Sequence, residues 1–396
     1  MKKANILLFI LNYLPGYKSG GVLRTVVNTV DWLSNDYKFW IVTRDRDLGS
    51  DEPYPNIKIN EWQLVEGAMV RYLPPELINT NYLVNLIDST SHDLIHLNSY
   101  FDQVFTIRIM LARKLGWLSK SPLLLSPRGE FGEGSLKLKN AKKILFIMFA
   151  KLLGLYNNIT IHATSEHELR DIKKVLNPTS SSIRTAIDLP SKVIANAPNS
   201  LLLSERCLRI VFLSRFSQEK NLDFALKILS RANVKAIFDI YGPIENILYW
   251  NECLKLIKKL PQNITATYHG PVSPSSVIET FSHYDLFFFP SKGENYGHVI
   301  AESISVGTKV LISKNTPWLK LENDGLGWDV DLKDESAFVN IIEKMARESL
   351  DSRLRKRDVV KKNALKRLLD PKVVNDNLAL FRVEAKHRFH NKFTTY

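Results

Sequence analysis

Two cysteines, Cys207 and Cys253, are all the thiol chemistry in this 396-residue sequence. Two thiols without metal-ligand spacing can neither staple a chain of this length nor build a zinc site. The sequence therefore reads as a protein of a reducing compartment with buried, reduced cysteines. Also missing is any run of about 18 apolar residues, the length that crosses a bilayer. The first residues, Met1 to Leu11, imitate a secretory signal with two lysines before an apolar run. That run stops at Asn12 and gives way to Tyr13-Leu14-Pro15-Gly16 instead of a small-residue cleavage site, so a buried first strand is expected. No Gly-x-Gly-x-x-Gly fingerprint follows that strand, which argues against a nicotinamide dehydrogenase.

What is present is ordinary for a folded protein: 45% hydrophobic and 24% charged residues. The length exceeds what one core supports, so two domains are expected. Fifty-four Lys and Arg against 41 Asp and Glu leave a formal charge of +13. Such an excess favours a polyanionic partner, whether nucleic acid, an anionic membrane surface or a phosphorylated substrate, and does not choose among them.

Short continuous apolar runs alternate with amphipathic segments. Ile6–Leu11, Phe39–Thr43, Leu94–Asn98, Leu123–Ser126 and Ile159–Ala163 read as strands buried on both faces, with helices such as Val22–Leu33 and Asp102–Leu115 between them. After an irregular stretch, 191–204, the pattern restarts with Leu208–Ser214, Ala236–Tyr241, Thr265–His269, Leu286–Pro290 and Lys309–Ser313. This alternation predicts an α/β protein of two Rossmann-like, doubly wound parallel sheets whose strand ends face a cleft. The expected division is 1–195 and 205–370, with a helical segment, 371–396, packing back towards the N-terminal domain.

Residues 290–307 carry the densest chemistry. A strand ends at Pro290-Ser291, a loop runs through Lys292, Gly293, Glu294, Asn295 and Tyr296, and a helix is expected from His298 to Val306. Gly297 at the junction lets a ligand approach the backbone, and the free amides and dipole of the first turn suit a phosphate. Glu294 in the loop and Glu302 one turn inside the helix can reach hydroxyls at opposite ends of one elongated ligand.

The segment Asp285–Trp318 resembles the donor-binding region of retaining GT-B glycosyltransferases of the family 4 type, the glycosyl transferases group 1. Leu208–Leu222, with Arg215 and Lys220, is similar to that family's strand–Arg–loop–Lys element. Phe238 to Gly242 resembles its next strand and glycine turn, and Tyr268 to Val272, with Gly270, the loop that holds the base. The resemblance implies that Arg215 and Lys220 neutralise the donor diphosphate, that Glu302 takes the ribose and Glu294 the sugar hydroxyls. It also implies that Tyr296, Gly297, His298 and Val299 line the sugar and phosphate. An Arg, a Lys and a helix N-terminus can stabilise a leaving diphosphate without a metal. Asp329-Val330-Asp331, the one Asp-x-Asp near this region, reads as a strand edge, so no metal and no cofactor are expected beyond a nucleotide-sugar substrate, UDP-sugar by default.

On the N-terminal side, Gly20-Gly21 between the first strand and helix resembles the family's glycine loop beneath the donor phosphates. Where many relatives carry a His in a Pro-His-Gly pattern, this sequence has Pro127-Arg128-Gly129 followed by Glu130. Arg128 could bind an anionic group with Glu130 orienting it or acting as base, or the two could form a local pair that shapes the loop. His162 reads as a packed strand residue. Leu136–Leu155 is basic at its start and strongly apolar after, which suits a helix docked on an anionic membrane surface as well as a core helix with a wet lysine face.

The expected protein is a retaining, metal-independent hexosyltransferase, cytoplasmic and peripheral on the inner face of the bacterial plasma membrane. It would act on a glycan or polyprenyl-diphosphate-linked acceptor in capsule, O-antigen or exopolysaccharide synthesis, with no nucleic-acid partner. The sequence leaves open the sugar, the linkage and the oligomeric state. Two competing readings are a basic membrane- or nucleic-acid-binding protein on a degenerate transferase fold, and a GT-B phosphorylase.

Overall fold

The structure is a computed structural model that describes residues 3–132, 136, 140–178, 181–192 and 207–382. The chain forms two compact units, one of residues 1–192 with 371–396 and one of residues 193–370. The stretch read as a linker falls almost wholly outside the described residues.

The first unit holds an eight-stranded sheet. Its strands are β1 (Ala4–Phe9), β2 (Tyr37–Arg44), β3 (Trp62–Val65), β4 (Ala68–Leu73), β5 (Leu94–Asn98), β6 (Leu123–Ser126), β7 (Thr160–Ala163) and β8 (Ser182–Thr185), in the order β3-β4-β2-β1-β5-β6-β7-β8. Every residue of β5 and β6 is buried, which is why both are mostly apolar, with His96, Asn98 and Ser126 as buried polar members. The expectation of a parallel sheet fails at one edge: β3 pairs antiparallel with β4. Glu66 and Gly67, both at positive φ, close that hairpin in two residues, a turn that matches the twist of its strands. The helix expected over Asp102–Leu115 begins only at Thr106, because the Asp102 carboxylate accepts the amides of Val104 and Phe105 at 2.9 and 3.1 Å and holds a turn there. The C-terminal helix Pro371–Phe381 packs in this unit. Phe381 stands edge-on to Phe39 at 5.9 Å, and Asn377 Nδ2 donates to the Ile187 carbonyl at 2.8 Å.

The second unit holds β9 (Leu208–Leu213), β10 (Ala236–Tyr241), β11 (Ile264–Tyr268), β12 (Leu286–Phe289), β13 (Lys309–Ser313) and β14 (Gly327–Val330). Their order is β11-β10-β9-β12-β13-β14 and every pairing is parallel. Asp329 thus lies on an edge strand. The chain winds outward from β9 through β10 to β11, then returns to start the other half at β12. The reversal lies between β9 and β12, where loops leaving the carboxyl ends of adjacent strands part and a crevice opens. Phe212, Phe287, Phe288 and Phe289 fill the core beneath, all fully buried. Cys253 is buried there too, and burial pushes its thiol up to about 12.

Candidate functional site

The loops after β9 and β12 are tied to each other at the reversal point. Lys292 donates its amide to the Glu219 carbonyl at 2.8 Å, and Asn221 Nδ2 donates to the Pro290 carbonyl at 2.9 Å. Asn221 is buried with φ near 64°, a conformation that few residues besides Gly, Asn and Asp take without strain. Across this seam Lys220 Nζ meets Glu294 Oε1 at 2.5 Å, with both side chains 13% exposed. Ser291 Oγ lies 3.3 Å from the same carboxylate oxygen. The Glu294 amide donates to the Asn315 carbonyl at 3.2 Å, so the loop after β13 joins the other two. Three strand ends therefore converge on one Lys–Glu pair, of which the sequence reading had only Lys220 and Glu294.

Beyond Glu294 the chain turns into the helix His298–Ser305 through Gly297, at φ 82° and ψ 61°. The left-handed conformation at Gly297 favours glycine, and a Cβ there would also stand 2.9 Å from Ile300 Cδ1, which would have to turn aside. Among the described residues no side chain caps this helix, and its first turn holds no acidic residue, which leaves the dipole end suited to an anion. The Tyr296 carbonyl accepts from Trp318 Nε1 at 2.5 Å, and the Tyr296 ring packs between Trp318 and His298, with centroids 5.5 and 4.7 Å away. Trp318, which sequence reading did not single out, is the clamp that fixes this entry; its indole N–H is the only clue such a residue offers. Glu302 is buried inside the helix, while Val272 and Val299 are half-buried against the core.

Arg215 follows β9 but is turned to the surface, where it pairs with Glu245 at 2.8 Å, each about half exposed. An exposed pair of this kind contributes little, so it holds Arg215 only weakly. Gly242 ends β10 where a Cβ would fall 1.8 Å from the Ser214 carbonyl oxygen: its absence of a side chain serves backbone packing. Around Gly270, by contrast, no atom of the described residues beyond its chain neighbours stands within 4 Å of a built Cβ.

In the first unit, Gly20 caps the helix Gly21–Leu33, and Cβ atoms built on Gly20 or Gly21 meet nothing within 4 Å among the described residues. The preceding loop is folded over Asp47, whose carboxylate accepts the Tyr17 and Lys18 amides at 3.0 and 3.3 Å. Arg128 and Glu130 do not pair with each other. Arg128 Nη1 meets Asp188 Oδ1 at 2.8 Å, with both side chains under 5% exposed, and its other nitrogens donate to Asn98 Oδ1. Thr25 Oγ1 donates to the second Asp188 oxygen at 2.9 Å. Burial raises the Asp188 carboxyl and Arg128 opposes that rise. Glu130 accepts from Ser99 Oγ and from the Tyr100 and Phe101 amides, an arrangement that folds the loop after β5.

His162 belongs to a buried chain through the sheet. Its Nε2 faces the Ala186 carbonyl at 2.8 Å, which can only accept, so Nε2 carries the proton and Nδ1 accepts from Ser126 Oγ at 2.9 Å. The Ser126 oxygen then accepts from His96 Nε2, also at 2.9 Å, leaving His96 Nδ1 as the unpartnered lone pair. Burial lowers both histidines, His162 to about 3, with Arg128 adding to the effect. The folded state therefore holds His162 neutral while the unfolded chain takes up a proton below its ordinary value of 6.5. Stability is lost as pH falls from 6.5 towards 3, by up to about 1.4 kcal/mol per pH unit for this residue. The unfolding midpoint of His162→Gln is expected to vary less with pH across that window than that of the unsubstituted protein.

Two doubly wound α/β units, with a carboxylate, a lysine and an uncapped helix N-terminus at the reversal point of the second, define the GT-B class of fold. Residues 194–367 match the family model of the glycosyl transferases group 1. Over 301 residues the chain is 24% identical to an uncharacterized 41.2 kDa protein in the cps region of Klebsiella pneumoniae, covering 70% of this chain and 79% of that one. Among solved structures it is similar to HepE from Anabaena in complex with UDP and glucose, with TM-score 0.69 and 13% identity over 95% of this chain and 98% of that one. It is also similar to WaaG, a glycosyltransferase involved in lipopolysaccharide biosynthesis, with TM-score 0.66 and 11% identity over 96% and 100% of the two chains. At these identities the solved structures speak for the fold, and the family match speaks for a transferase.

Proposed function

We propose that the protein transfers a sugar from a nucleotide-sugar donor, UDP-sugar first, to a glycan or lipid-linked glycan acceptor, with retention of anomeric configuration and without a metal. The observation that carries this reading is the Lys220–Glu294 pair at the β9/β12 reversal, beside an uncapped helix N-terminus and inside the segment that matches the group 1 transferases. Lys220 and the amides after Gly297 would take the diphosphate, and Arg215 would join them by leaving its weak surface pair. Glu294 Oε1 is held by Lys220 and Ser291, which leaves Oε2 to accept donor-sugar hydroxyls. Glu302 would take the ribose.

In the reaction, the bond between the anomeric carbon and the diphosphate oxygen breaks as the acceptor hydroxyl oxygen bonds to that carbon on the same face. The acceptor proton passes to the departing phosphate oxygen, whose growing charge the lysine and helix dipole stabilise. The Klebsiella relative in a cps region supports a place in bacterial surface-polysaccharide synthesis, and the solved structure with UDP and glucose fits a nucleotide-sugar donor.

Thermal unfolding in the presence of UDP-, GDP- and dTDP-sugars tests the donor reading, because a ligand stabilises the state it binds. The UDP-sugars are expected to raise the midpoint, by about 2.7 kcal/mol of stability at a hundredfold excess over Kd. A midpoint unmoved by all three classes would sink the donor assignment.

A further inference from the structure

The helix Asn140–Leu152 is apolar nearly all round, yet the fold uses only one side of it. Ile147 and Ala150 are buried, and Phe146 packs edge-on against Tyr100 at 5.8 Å. The opposite side carries Ile144, Leu145, Met148, Phe149 and Leu152, of which Met148 is 62% and Leu152 81% exposed. At about 100° per residue these side chains span an arc of about 140°, bordered by Lys151 on one flank and Lys142 on the other. A helix apolar on both sides belongs in an interior, and among the described residues nothing covers this outer side.

The face continues onto a second element. Lys114 Nζ lies 3.8 Å from where a Cβ on Gly154 would stand, so the end of the helix Thr106–Lys114 meets the end of Asn140–Leu152. There Leu115 and Trp117 are 62% and 53% exposed, next in sequence to that lysine as Leu153, 50% exposed, is next to Gly154. The charged side chains borne by the two helices themselves are all basic. No Asp or Glu lies between Gln103 and Gly129 or between Gly134 and Ser165, and these two stretches together hold ten Lys and Arg, of which Arg128 is buried against Asp188.

We propose that this composite face docks the protein on an anionic lipid bilayer, with Leu145, Met148, Phe149, Leu152 and Trp117 in the acyl boundary and the flanking lysines at the headgroups. An apolar arc between basic borders is complementary to that surface on both counts, whereas a second copy of the chain would set the bordering lysines against their own kind. The helix lies on the bilayer: no helix among the described residues is long and apolar enough to cross it. The proposal rests on none of the donor-site residues.

Sedimentation with vesicles of phosphatidylcholine, alone or with about one third phosphatidylglycerol, tests it. The unsubstituted protein is expected to bind the anionic vesicles and to release at high salt. Met148→Glu/Leu152→Glu is expected to bind at least about tenfold more weakly with its circular dichroism, unfolding midpoint and UDP-induced stabilisation unchanged. Retained UDP stabilisation separates loss of docking from failure of the donor reading. Absence of binding to anionic vesicles, or undiminished binding by the variant, overturns the proposal. So does a lipid-free dimer that the two substitutions dissociate, which would make the face a contact between copies.

Discussion

Glu294→Ala and Lys220→Ala are each expected to lower transfer by about a hundredfold to a thousandfold while the protein stays folded. Both side chains sit on loops beyond strand ends and neither belongs to the core beneath them, so each truncation removes one partner of the pair and leaves the core intact. The two variants should part on donor binding. Lys220 is assigned to the diphosphate, so its loss should abolish stabilisation by UDP itself. Glu294 is assigned to the sugar, so Glu294→Ala should still respond to UDP and lose only the extra increment that a UDP-sugar gives. If Lys220 served merely to hold Glu294 in place, both variants would respond to UDP alike and the double variant would be no worse than either single one. Near-normal turnover in either variant would refute the site.

The parts legible in the sequence are those whose physics is local. Leu94–Asn98, Leu123–Ser126, Ala236–Tyr241 and Lys309–Ser313 were readable to the residue because strands buried on both faces are mostly apolar, and their bounds are the observed ones. Gly297 and the helix after it were readable because a loop–glycine–helix junction is written in consecutive residues. The β3–β4 hairpin was not: β3 is exposed enough for Gln63 and Leu64 to alternate weakly, and four residues are too few to set a period. Nor were the partners that make the site rigid. Asn221 reaches Pro290 across 69 positions and Trp318 reaches Tyr296 across 22, and nothing in the spacing of either pair announces the contact. The Arg128–Asp188 pair spans 60 residues, so the sequence suggested Glu130, the nearer carboxylate, as partner.

That misreading has a measurable consequence. Arg128→Met is expected to lower the unfolding midpoint by about 10 °C, because it leaves the Asp188 carboxylate buried without its cation, a loss of about 3–5 kcal/mol. Arg128 also restrains the rise of the Asp188 carboxyl, so its removal lets that group take a proton at higher pH, and the deficit should shrink as the solution is acidified. Arg128→Met/Asp188→Asn removes both charges and should recover most of the stability. The same double variant decides whether Arg128 acts on substrate. Its guanidinium is already bound to Asp188 and Asn98, with its side chain 4% exposed, which fits a residue that positions the loops after β5 and β6. A folded double variant with turnover within about threefold of normal would leave Arg128 that positioning role alone. A folded double variant that binds UDP but no longer transfers would return it to the reaction, with the buried pair as the device that holds it ready.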